Sequence, residues 1–270
     1  MLVFLNYHYG LEAWISKQSF ARRYFSWAGI FLLAWGIPFI LVFWQQKKRF
    51  SYAAIALLVL APFLFSLKMT LRPEFHFSDE IPWDHYWNQV IYWPFLAILI
   101  GMILFLLGKV FSHDQLFFGS RLKGMDWRPY LWMLALMVPL IALAATQKDF
   151  QTAYPKMQHI EGLFNEKGFS WWHKLLFELS YGSDFITIEF FFRGFLVLAL
   201  ARYAGTSAIL PMACFYCTIH FGKPLGECIS SYFGGMLLGI VVYHTRSIFG
   251  GLMVHLGIAW LMEFAGYLAK

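Results

Sequence analysis

Glu189 and Arg193 stand four residues apart in an otherwise apolar run, His220 closes the next such run, and His255 and Glu263 interrupt the last. Asp184 lies at the entrance to the first of these runs. Ionisable side chains inside apolar helices are costly, and their default reading is functional. At i and i+4, Glu189 and Arg193 share a helix face and can pair. That pair reads either as a structural ion pair or as a general base with its counter-charge. His220 and His255 sit on separate runs, so only tertiary packing can join them; taken singly, each reads as a packing histidine bonded to a backbone carbonyl. Together with a glutamate they have the chemistry of hydrolysis, which needs a base to activate water and a donor to hold the developing oxyanion. Glu189, His220 and His255 could do this directly, or as ligands of a divalent metal such as zinc with one position left open for water.

The elements that must position these residues are apolar helices. Of the 270 residues, 60% are hydrophobic and 13% charged, whereas a soluble domain carries about 25% charged residues. So much apolar surface asks for lipid as solvent. The expected fold is all-α, a polytopic membrane helix bundle of about eight transmembrane helices. Apolar runs place the spans over Phe25–Trp44, Tyr52–Phe65, Trp87–Leu107, Tyr130–Ala145, Phe185–Tyr203, Ala208–Phe221, Ile229–Tyr243 and Ile248–Leu268. Residues 1–24 mix charges and aromatics without a cleavage signal and read as an interfacial amphipathic helix. Residues 25–180 form the N-terminal spans, ending in a mixed stretch over Ala145–Ser180 expected to lie along the membrane surface. Residues 181–270 form a four-helix core that carries the polar groups. Gly234, Gly235 and Gly239, then Gly250 and Gly251, give small-residue patterns for close helix approach.

The formal charge of +6 is spread in small groups at the ends of apolar runs. Lys47, Lys48 and Arg49 are one such group, and the stretch from Arg121 to Arg128 is another; both are expected on the cytoplasmic side. The expected partners are membrane lipids and a peptide or membrane-protein substrate, with no nucleic acid. Cys214, Cys217 and Cys228 provide no disulfide framework and read as small buried packing residues.

The order of motifs resembles the CPBP family, which comprises the type II CAAX prenyl endopeptidases and the bacteriocin-processing or immunity proteins. The matching stretches are TIEFFFRGF (Thr187 to Phe195), YCTIHFG (Tyr216 to Gly222) and RSIFGGLMVH (Arg246 to His255). The resemblance implies an intramembrane endopeptidase whose glutamate and histidines activate water to cut a peptide bond in or near a bacterial cytoplasmic membrane. By carry-over, His220 helps position that water, His255 lines the oxyanion side and Arg193 orders the first motif. Three positions depart from the family pattern: Ile188 stands at the first glutamate, Tyr216 at a phenylalanine and Ala259 at an asparagine. Asp184, one helical turn before Ile188, and Glu263, about 80° round the helix from His255, are substitute acids, with Glu227 a looser one. The rival readings are a non-catalytic member of the fold that binds a partner or serves as an immunity protein, and a transporter.

Overall fold

Proline is spread through the long apolar helices at Pro38, Pro62, Pro94 and Pro139, yet the helices run on through it. In membrane helices the freed carbonyls are answered by neighbouring helices and local backbone adjustment. The computed structural model describes residues 1–45, 52–111, 119, 126–161, 164 and 169–269. The basic residues Lys47, Lys48, Arg49 and Arg121 lie outside these. Among the described residues every regular element is helical.

The elements are α1 (Leu2–Tyr9), α2 (Leu11–Ser16), α3 (Phe20–Gln45), α4 (Tyr52–Thr70), α5 (Ile81–Phe111), α6 (Arg128–Ala144), α7 (Lys148–Ala153), α8 (Gln158–Glu161) and α9 (Trp171–Glu189). From Glu189 the chain passes without a break into a π-helix, Phe190–Leu198, and then into α10 (Ala199–Ala204). A short 3-10 turn leads to α11 (Ile209–Thr218), followed by α12 (Leu225–Thr245) and α13 (Phe249–Leu268). Four helices among the described residues are long and apolar enough to cross a membrane: Phe20–Gln45, Ile81–Lys109, Leu225–Thr245 and Phe249–Leu268. Ile55–Thr70 and Arg128–Ala144 are shorter apolar helices. The expected fifth span is part of a longer helix that already starts at Trp171, within the stretch expected to lie along the surface.

The contacts divide the chain into two units, each drawn from three separated stretches. The first takes Met1–Leu71, Ile103–Lys123 and Phe190–Ile248; the second takes Arg72–Met102, Gly124–Glu189 and Phe249–Lys270.

In the first unit α3 packs against α4 and α11, and α11 against α12. Its core is aromatic. Phe191 and Phe192, successive residues of the π-helix, both meet Phe65, with ring centroids 4.8 and 5.0 Å away. Both also meet Phe215 of α11, at 5.9 and 5.2 Å. Such pairs are worth about 0.5–1.5 kcal/mol each beyond the area they bury. α11 and α12 approach closely because of glycine: a Cβ on Gly239 would stand 2.7 Å from Met212 and 2.9 Å from Ile209.

In the second unit α13 packs against α6 and α9. One core gathers Tyr86, Val90, Met157, Ile160 and Phe177, with Trp83, Trp87 and Trp93 packed on it. The Tyr86 hydroxyl donates to the His173 carbonyl at 2.9 Å. A second core joins Ile141, Ala145, Phe150, Tyr154 and Met262. Gly266 is where α13 meets the backbone of Tyr154 and Pro155, both 2.7 Å from the position of an added Cβ. Backbone cannot swing aside as a side-chain tip can. Gly266→Ala is therefore expected to cost about 1–3 kcal/mol by overpacking, read as a lower melting temperature in detergent. Gly101→Ala, which meets open space on α5, is expected to leave the melting temperature unchanged or raised.

Candidate active site

Glu189, the last residue of α9, is 0% exposed. A carboxylate so far from water needs a donor, because an isolated buried charge costs several kcal/mol. His255 of α13 supplies it: Nδ1 lies 3.0 Å from Glu189 Oε1. The imidazole retains 12% side-chain exposure, and its ring packs 4.5 Å from that of Phe185, one turn before Glu189. Gly182 lets the two helices close on each other, since a Cβ there would press on Trp260 and Leu256 at 3.2 and 3.3 Å. A neutral ring that gives Nδ1–H to the carboxylate keeps its lone pair on Nε2. The structure thus brings together two of the three expected catalytic residues, from helices separated by 66 positions.

Glu263 is 3% exposed, and its Oε2 accepts the Lys156 backbone N–H at 2.7 Å. Its carboxyl also lies within hydrogen-bonding reach of the Glu178 carboxyl. Eight residues along one helix put it about 12 Å further along the axis from His255. Glu178 escaped the sequence reading because it falls in the mixed stretch before Ser180, among other charges. Asp184 is half-buried on α9. Ile188 and Ala259 are buried apolar residues at 8% and 4% exposure, so neither returns the polar group that the motif lacks.

In the first unit, Arg193 lies in the π-helix and is fully buried. Its guanidinium stands over the Tyr216 ring, 4.2 Å from the centroid. Gly235 of α12 allows this ring its place, a Cβ there falling 3.0 Å from Tyr216 Cδ1. Tyr216 in turn meets His220 edge to face, at 4.8 Å. His220 Nδ1–H donates to the Tyr216 carbonyl at 3.0 Å. Glu227 pairs with Lys223 at 3.3 Å. Cys217 and Cys228 are buried with sulfurs 3.7 Å apart.

The turn between α11 and α12 that carries His220 is also held by residues that the sequence reading passed over. Asn6 donates to the Phe221 carbonyl at 2.9 Å, and the Tyr7 hydroxyl donates to the Lys223 carbonyl at 2.6 Å. A lone Asn-Tyr pair in an aromatic N-terminal segment carries no sequence signal that could have revealed this.

A catalytic zinc takes three protein ligands and keeps a position for water. Among the described residues no group of three or more His, Cys, Asp or Glu is placed to hold a metal ion.

A family model described as type II CAAX prenyl endopeptidase Rce1-like matches residues 171–261. That third of the chain contains all three motifs, and the match supports the resemblance to the CPBP family there. No curated protein and no solved structure gives a significant match. The match and the four long apolar helices point to an integral membrane protein and to a function of the CAAX-protease type.

The Tyr216 ring is the aromatic face under a buried cation, an interaction worth about 2 kcal/mol when desolvated. Tyr216→Leu is expected to lower the unfolding free energy by about that amount, measured by denaturant titration in detergent. Tyr216→Phe, which keeps a ring there, is expected to retain most of it.

Proposed function

We propose that this chain is a membrane-embedded endopeptidase in which Glu189 and His255 activate the attacking water. The 3.0 Å contact between His255 Nδ1 and the fully buried Glu189 carboxylate carries this reading. Glu189 holds the imidazole in one tautomer, and its charge favours the imidazolium that forms when Nε2 takes a proton from water. The hydroxide attacks the peptide carbonyl carbon, and the new Nε2–H faces the oxyanion that results. That proton then passes to the leaving nitrogen as the C–N bond breaks, which restores the neutral ring. Glu189 takes up no proton in this scheme and acts as orienting group rather than direct base. The parts of His220 and Arg193 rest on the motif match.

The setting we propose is the eight-span topology in a bacterial cytoplasmic membrane, with residues 1–24 at the interface and a peptide or membrane protein as substrate. A non-catalytic scaffold or immunity role on the same fold is favoured by two observations, the apolar residues at Ile188 and Ala259. Terminus-selective mass spectrometry of membranes containing wild type, Glu189→Gln or His255→Gln at equal levels separates the two. The enzyme reading expects fragments whose formation drops roughly 10²–10⁴-fold in both variants. Identical fragment sets in all three membranes would leave the scaffold.

A further inference from the structure

α1 and α2 converge on the turn that carries His220. Asn6 is the residue that α1 buries, at 4% exposure. A buried amide needs partners on both sides, and Asn6 has them. Its Nδ2 donates to the Phe221 carbonyl at 2.9 Å, and its Oδ1 accepts the Glu12 backbone N–H at 2.9 Å. The second bond ties the start of α2 to α1 across Gly10, whose φ of 66° makes the bend between them. The Tyr7 hydroxyl reaches the Lys223 carbonyl at 2.6 Å and the His220 carbonyl at 3.3 Å. Its oxygen also meets the Cys228 thiol at the start of α12. Glu12 lies over Gly222, its Cδ 3.5 Å from where a Cβ would stand. Residues 220, 221 and 223 thus all have their carbonyls held by two adjacent side chains more than two hundred positions away.

One anchor of the imidazole is local. Nδ1–H goes to the Tyr216 carbonyl, one turn back in α11, and α11 ends at Thr218. Beyond that point the backbone continues as a hydrogen-bonded turn, the His220 N–H donating to the Cys217 carbonyl at 3.1 Å and its carbonyl accepting the Lys223 N–H at 3.0 Å, and the direction of the side chain follows that turn.

We propose that Asn6 and Tyr7 are positioning residues for His220, fixing the backbone that aims its Nε2. The proposal rests on His220 taking part in the chemistry proposed above, and its test separates the two. Diethyl pyrocarbonate modifies neutral imidazole nitrogens, and peptide mass spectrometry of the full-length protein gives the rate at His220 without any need for a substrate. The variants are Asn6→Asp, which keeps the acceptor for Glu12 N–H and loses the donor to Phe221, and Tyr7→Phe, which loses only the hydroxyl. Gly266→Ala serves as a destabilised control remote from the turn in sequence and located in the other unit.

Each strap variant is expected to change the His220 labelling rate roughly three- to tenfold, the scale of one hydrogen bond. The control is expected to leave it at the wild-type rate. On a peptide spanning the cleavage site, each is expected to lower kcat by a similar factor with KM unchanged. Wild-type labelling and kcat in both Asn6→Asp and Tyr7→Phe overturns the proposal, as does a control that shifts labelling equally. If His220→Ala cleaves normally while the strap variants alter labelling, the positioning stands and the catalytic role of His220 falls.

Discussion

A charge removed from water must be answered by something nearby, and the polar interior of this protein is organised by that requirement. Glu189 and Arg193 are both at 0% exposure, and each is answered in a different currency. The carboxylate takes a hydrogen bond from an imidazole; the guanidinium lies against the face of an aromatic ring. Leaving either without its neighbour would cost several kcal/mol. The glycines at 182 and 235 follow from the same need, because they let the helices come close enough for these side chains to meet.

In a hydrocarbon solvent, helix association gains little from burying apolar groups and depends on fit and internal hydrogen bonds. That shifts structural weight onto particular contacts. The π-helical segment is one: its i→i+5 bonding is uncommon and tends to mark functional sites. Here it begins at the residue after Glu189 and contains Arg193. Its aromatic residues are locked against Phe65 and Phe215, so packed rings add to the helix's own hydrogen bonds in holding the backbone around the motif. A site on elements this tightly packed keeps its geometry better than one on loops.

The helical class and the polar residues were legible in the sequence, because composition and isolated charges in apolar runs are local signals. Glu189, Arg193, His220 and His255 stand out on those grounds, and the motif order carries the resemblance that the family model matches over residues 171–261. The pairing of Glu189 with His255 was not legible, since it joins separate helices. Equally invisible was the π-helix, because an i,i+4 reading of Glu189 and Arg193 assumes an α-helical backbone. Glu263 looked like a substitute acid from its helical angle alone; what it bonds, the Lys156 N–H, depends on a loop that periodicity cannot place. Asn6 was missed because a small polar residue in an aromatic segment resembles an interfacial one.

The bond between Asn6 and Phe221 joins residues 215 positions apart. Ribosomes add about 5–20 residues per second, so roughly ten to forty seconds pass between the making of the donor and of its acceptor. Over that interval α1 and α2 exist without the turn they hold, and the Asn6 amide has to be solvated, because entering hydrocarbon unbonded would cost a few kcal/mol. The opening helices therefore wait in contact with water while most of the chain is laid down. The turn takes its final form only after the late helices arrive, so birth order, and not neighbourhood along the chain, sets when this region matures.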